Sequence, residues 1–261
     1  MKLPIFQVDA FTSSLFGGNP AAVCPLEDWL PDETMLLIAK ENNLSETAFF
    51  VAEGNGFKLR WFTPAVEVDL CGHATLAAAW VLFYEMGYAK DKIEFYTRSG
   101  TLTISKEGER LLMDFPAEEI PTADAPVVLF QGLGINREPR VYKSDDYMVI
   151  LDTEEDVARI EPDFRLLNEV DARGIIVTAP GDEVDFVSRF FAPQSGIDED
   201  PVTGSAHTKS APYWSKVLGK EVLEAQQISE RGGAITCRLK GDRVELLGHA
   251  KVFMKGEINL D

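Results

Sequence analysis

Residues 60–64, Arg-Trp-Phe-Thr-Pro, come back as residues 189–193, Arg-Phe-Phe-Ala-Pro. Each copy reads as a strand that closes at a proline, which has no N–H to give to a sheet ladder. The likeness continues downstream. Eight residues past Pro64 stands Gly72, in CGHATLAAAWVLFYEMG (71–87), and eleven past Pro193 stands Gly204, in TGSAHTKSAPYWSKVLG (203–219). Both segments then run fifteen residues to another glycine, Gly87 and Gly219. A glycine that opens a segment rich in small residues, with a second glycine where a left-handed C-cap would sit, predicts a helix in each half. Repetition of this kind predicts two halves built on one plan. Ala74, Ala77, Ala78 and Ala79 fit a helix packed tightly inside a curved sheet, although alanine is also simply a good helix former.

Around the repeat, strand-like and helix-like segments alternate. Leu3, Ile5, Phe6 and Val8 give an alternating strand, followed by the turn Gly17-Gly18-Asn19-Pro20 and the short strand AAVC. Pro31 with acids beside it, ahead of Met35, Ile38 and Ala39, predicts an amphipathic helix. FKLRWF, KIEFYT, GTLTIS and RLLMDF read as strands, as do DYMVILD, RGIIVTA, DFVSRFF, AITCRLK and RVELLG further on. Between the two groups lies FPAEEIPTADAP (115–126), whose prolines and acids make it the best linker candidate. The simplest fold class is α+β in two pseudo-symmetric domains.

Composition excludes several kinds of function. The 261 residues are 45% hydrophobic and 26% charged, enough to bury a substantial core. A formal charge of -18, with no evident basic patch, disfavours nucleic acid and anionic membranes as partners. The first residues, MKLPIFQVDAFTSSLF, lack the charge and continuous apolar block of a signal peptide, and no apolar run is long enough to span a bilayer. Three scattered cysteines, Cys24, Cys71 and Cys237, give neither a disulfide framework nor zinc-ligand spacing. The expectation is a cytoplasmic, reduced, metal-free protein.

The helix openings carry a chemical consequence. First-turn N–H groups and the positive end of the helix dipole, offered twice across a pseudo-twofold cleft, would bind a carboxylate. The polar residues near these openings are His73, Ser205 and Asp200, and Glu46 in NNLSETAFFV (42–51) precedes a run that reads as a buried strand. Each has a structural reading of its own. Glu46 could cap a helix or pair with a cation, and His73 could cap a helix. Asp200 follows Asp198 and Glu199 in what reads as a solvated acidic loop, and Ser205 could be an N-terminal hydrogen bonder. His207 and His249 read as structural or surface residues.

Taken together, NLSETAFF, GHAT, DEDPVTGSAH and the GGNPAAV turn resemble the PhzF-like phenazine biosynthesis family along nearly the whole chain. The resemblance implies the diaminopimelate-epimerase-like fold, with each domain a mostly antiparallel sheet curled around a central helix and the active site in the cleft between them. It places the domains at residues 1–116 plus 251–261 and 117–250. It also implies a cofactor-independent isomerase, commonly a homodimer, that moves a proton within a small carboxylated substrate. Glu46 matches the catalytic acid/base, and burial against Ala48, Phe49 and Phe50 would raise its basicity. His73 and Asp200 match a proton relay or contacts to substrate amine and hydroxyl groups. Ser205 and the N–H groups of Gly72 and Gly204 match carboxylate binding. Relatives of this fold racemise amino acids with two opposed cysteines; here Cys71 faces Thr203 in the aligned repeat, so the second thiol is missing. A cysteine-dependent racemase using Cys71 and a non-catalytic carboxylate-binding protein stay as alternatives.

Overall fold

Leu3 and Ile5 line one buried side of strand β1 (Lys2–Ala10), and Val8 is buried on the other, in the computed structural model, which describes residues 1–260. The chain divides into two compact units, one of Met1–Asp114 with the segment from Leu246 onward, the other of Phe115–Glu245.

In the first unit, β1 pairs antiparallel with β2 (Asn19–Leu26) and with the C-terminal strand Ala250–Asn259. Helix α1 (Asp32–Asn42) has Asp32 and Glu33 at its positive end and Lys40 at its negative end, and it buries Met35, Ile38 and Ala39. Asn43, one of the few residue types that enters the left-handed region readily, ends it at φ 50°. β2 runs parallel to β3 (Glu46–Glu53), which is antiparallel to β4 (Gly56–Phe62). β4 is antiparallel to the short β5 (Glu67–Val68). After α2 (Gly72–Trp80) the chain enters β6 (Lys92–Thr97), parallel to β4, then β7 (Gly100–Glu107) and β8 (Arg110–Pro116) as successive antiparallel neighbours. Ala74, Ala77, Ala78 and Ala79 are fully enclosed, so α2 is a core helix. It does not stay α-helical to Gly87 as the glycine spacing predicts. Val81–Glu85 widens into a π turn that keeps Val81, Leu82 and Phe83 all buried, and Gly87 follows at φ +69°.

The second unit contains α3 (Val127–Gly132), β9 (Arg140–Lys143), β10 (Asp146–Ile150), α4 (Glu154–Ala158) and α5 (Phe164–Leu167). There follow β11 (Gly174–Pro180), β12 (Phe186–Ala192), β13 (Ile197–Asp200), α6 (Gly204–Leu218), β14 (Val222–Gln227), β15 (Gly233–Lys240) and the first half of β16 (Arg243–Gly248). β10 is parallel to β11, β11 antiparallel to β12, β12 antiparallel to β13 and parallel to β14, and β14 antiparallel to β15. That is the succession of β2 to β7, strand for strand. A side-chain pair repeats with it. Arg60 on β4 forks onto Glu67 on β5 at 2.7 and 2.8 Å, and Arg189 on β12 forks onto Glu199 on β13 at 2.7 and 2.9 Å.

The proline-rich stretch is not a loose linker. Its N–H groups are used by the second unit: Ala117 donates to Asp242 O at 2.9 Å, Glu118 to Thr208 O at 3.0 Å, and Ala123 to Val141 O at 3.0 Å. The Thr208 carbonyl needs that donor because Pro212, four residues on inside α6, has no N–H to offer it. Among the described residues no helix is long and apolar enough to cross a membrane.

Candidate active site

Three element starts meet in the first unit. Register places Glu46, the first residue of β3, beside Ala21 on β2; Asn19 begins β2, and α2 begins at Gly72. Glu46, Cys71 and His73 are buried, and Asn19 is completely enclosed. His73 Nε2 lies 3.2 Å from Glu46 Oε2, while its Nδ1 lies 3.2 Å from Asn19 Nδ2 and 3.5 Å from Cys71 Sγ. Burial pushes the imidazole down to about 3, so it is neutral at physiological pH and its contact with Glu46 is not an ion pair. The segment before Asn19 is held by backbone that only glycine fits: Gly18 has φ +66°, and a Cβ there would sit 2.2 Å from Ala10 O. Asp9 steadies the same segment by accepting the Phe16 N–H at 3.2 Å.

Donor atoms of Glu46, Cys71 and His73 all lie within 4.8 Å of one another, the one such grouping among the described residues that could share a cation. The other thiols are remote from chemistry of that kind. Cys24 and Cys237 are sealed in strands β2 and β15, and burial pushes the Cys24 thiol up to about 12.

The second unit gathers Asp200, Gly204 and Ser205. Asp200 ends β13 and accepts a hydrogen bond from the Thr203 hydroxyl. Gln227, fully buried on β14, fastens this turn: it accepts the Thr203 N–H at 2.8 Å and donates to Asp200 O at 2.6 Å. Ser205 is half-buried and receives Arg173 Nη2 at 3.2 Å. One turn further along α6, Lys209 is buried against Asp146 and Asp145, each at 2.6 Å. His207 is enclosed with Nδ1 2.8 Å from Thr203 O, and burial pushes it down to about 4.

Both helices start alike. The residues before them, Cys71 and Thr203, have extended backbone and make no side-chain cap. Thus Glu46, Gly72 and His73 come together in one unit, and Asp200, Gly204 and Ser205 in the other. Sequence reasoning missed Asn19 and Gln227, the side chains that fix His73 and the Asp200 turn. Asn19 was hidden inside a motif read only as a turn, and Gln227 sits on a strand with few apolar residues.

Known proteins can be set beside this geometry. Residues 8–256 match the family model described as PhzC-PhzF, phenazine biosynthesis-like protein. An uncharacterised isomerase of Pseudomonas aeruginosa is 52% identical over 260 residues, covering 100% of both chains. The crystal structure of a PhzF-family phenazine biosynthesis protein from Enterococcus faecalis gives a TM-score of 0.97 at 49% identity, again covering 100% of both chains. A probable proline racemase from Agrobacterium radiobacter, at TM-score 0.66 and 10% identity over 99% of this chain and 93% of its own, shares the fold alone. The fold is therefore diaminopimelate-epimerase-like, as the family resemblance implies. The chain belongs to the PhzC-PhzF family of phenazine biosynthesis-like proteins, and it is an isomerase.

Proposed function

We propose that the protein shifts a proton within a small carboxylated metabolite, without a cofactor, using Glu46 as both acid and base. The observation that carries this reading is the neighbour of Glu46: this buried carboxylate lies 3.2 Å from a neutral imidazole. An imidazolium at that distance would lower the basicity that C–H abstraction requires, and a neutral ring adds no such charge. The Glu46 carboxylate takes the proton from an activated carbon, the bonding electrons pass into the conjugated system, and the same proton is returned at another carbon. His73 and Asp200 act at the reacting groups, and Ser205 with the N–H groups of Gly72 and Gly204 holds the substrate carboxylate. The working form is a homodimer, which sedimentation measures directly.

The first substrate to try is trans-2,3-dihydro-3-hydroxyanthranilate, followed in heavy water by proton NMR, with a panel of small amino and hydroxy acids behind it. Isomerisation of the first supports a phenazine-type role. Exchange or isomerisation only within the panel moves the substrate and keeps the reaction class. No change in any of them, with folded protein, defeats the reading.

One observation favours a second reading. Cys71 Sγ is 3.5 Å from the same imidazole, so a thiol-dependent racemase would use Cys71 with Glu46 as the opposing base. Under our reading Cys71→Ser changes turnover little; its loss, with substrate protecting the thiol from alkylation, would transfer the chemistry to Cys71.

A further inference from the structure

We propose that Asn19 is a positioning residue: its side-chain amide fixes the His73 tautomer, so that the ring carries its one proton on Nε2, the nitrogen nearest the Glu46 carboxylate. The step to function rests on the reading of Glu46 as the base; the tautomer itself does not.

The donors around the ring decide the matter. An amide nitrogen can only donate, and Asn19 Nδ2 stands 3.2 Å from His73 Nδ1. Cys71 Sγ stands 3.5 Å from the same atom, and a thiol is a weak donor. The amide nitrogen leaves Nδ1 to accept, and the thiol, able to donate or accept, is compatible with that. A neutral imidazole carries one ring proton, and that proton is left to Nε2, 3.2 Å from Glu46 Oε2. Asn19 is in a position to enforce this because it is fully buried and is the first residue of β2, directly after the glycine that no other residue can replace.

The consequence concerns what His73 can do. A ring whose Nε2 already holds hydrogen cannot take a proton from Glu46 there. His73 therefore keeps its proton on the nitrogen that faces Glu46, and Glu46 alone carries the proton between carbons. The relay role left open in the sequence is closed by Asn19.

The second unit supplies an internal control. His207 Nδ1 faces Thr203 O at 2.8 Å, and a carbonyl can only accept, so His207 carries its proton on Nδ1, the opposite tautomer. The chain has only three histidines, so their ring nitrogens can be separated in a nitrogen-15 NMR spectrum by removing one at a time.

The experiment is that spectrum, recorded on the full chain at neutral pH without substrate. The expected result is a protonated-type Nε2 and an unprotonated-type Nδ1 for His73, with the reverse for His207. A protonated Nδ1 or an imidazolium at His73 overturns the proposal, and this arm needs no variant. Asn19→Asp, whose carboxylate accepts instead of donating, is expected to move the His73 proton to Nδ1. It should also lower kcat about 10- to 100-fold with KM within about threefold, the usual size of an orienting-residue effect. Asn19→Ala, which leaves only the thiol, should give mixed tautomers and a smaller loss. An unchanged His73 pattern in folded Asn19→Asp overturns the assignment to Asn19. Full turnover by Glu46→Gln would remove Glu46 as the base while leaving the tautomer to stand or fall on the spectrum.

Discussion

Helices α2 and α6 open on equivalent glycines and follow equivalent strands, yet α6 runs to its glycine C-cap while α2 gives way to a π turn, and their buried faces differ in kind. Five residues past its opening glycine, α2 buries Ala77 and α6 buries Lys209. The first residue after the glycine is His73 in one and Ser205 in the other. The start of α2 gathers a carboxylate, an amide, a thiol and a neutral imidazole, whereas α6 has around it a lysine, an arginine and two aspartates locked into ion pairs. The comparison separates what the fold needs from what the chemistry needs. Strand succession, the opening glycine and the Arg–Glu fork recur because they build the unit. Between those fixed points the two units differ, and there the first unit carries the buried Glu46 and His73 and the second a charged underside of ion pairs.

The largest effect that would sharpen this division is on Asp200. If the second unit takes part in proton handling, Asp200→Asn lowers kcat about 10²- to 10⁴-fold. A change confined to KM would assign it to binding alone. Next comes the underside of α6. Lys209→Met leaves Asp146 buried with only Arg173 for compensation, and should lower the unfolding free energy by about 3 kcal/mol, read from the urea midpoint. A loss under about 1 kcal/mol would mean that the buried pair contributes no more than an exposed one.

Acid should expose the buried histidines. Their folded values, about 3 for His73 and about 4 for His207, lie below the ordinary 6.5, so the unfolded chain binds protons that the folded chain refuses. Their contribution is complete above 6.5 and is lost as pH falls toward the folded values. The expected slope is up to about 1.4 kcal/mol per pH unit for each histidine. Urea titrations between about pH 7 and about pH 5 measure it, and His207→Asn should remove about half. The smallest effect belongs to Ser205→Ala, about 1 kcal/mol in substrate binding, seen as a rise in KM with kcat nearly unchanged.

Much of the fold was legible because glycine spacing and prolines at strand ends are local signals with direct geometric causes. The paired helices, the burial of Ala77 and Leu59, and the acids of α1 all follow from them. Strand β14, VLEAQQ, escaped notice: its alternate residues Val222, Glu224 and Gln226 are exposed, and its buried side ends on Gln227, which a hydrophobic pattern cannot mark as interior. The contact between Cys71 and His73 was hidden for a different reason. Residues two apart do not face each other on a helix, but Cys71 precedes the helix with φ -146°, and that extended backbone lets its thiol reach the ring. Asn19 needed the tertiary fold, since its partner lies 54 residues away.

The most direct test of the central claim compares wild type with Glu46→Gln in heavy water, on whichever carboxylate the wild type isomerises, with circular dichroism run on both to establish folding. Turnover should fall about 10²- to 10⁴-fold in a folded variant that still binds substrate. A folded Glu46→Gln that turns over at the wild-type rate would contradict the assignment of the proton carrier.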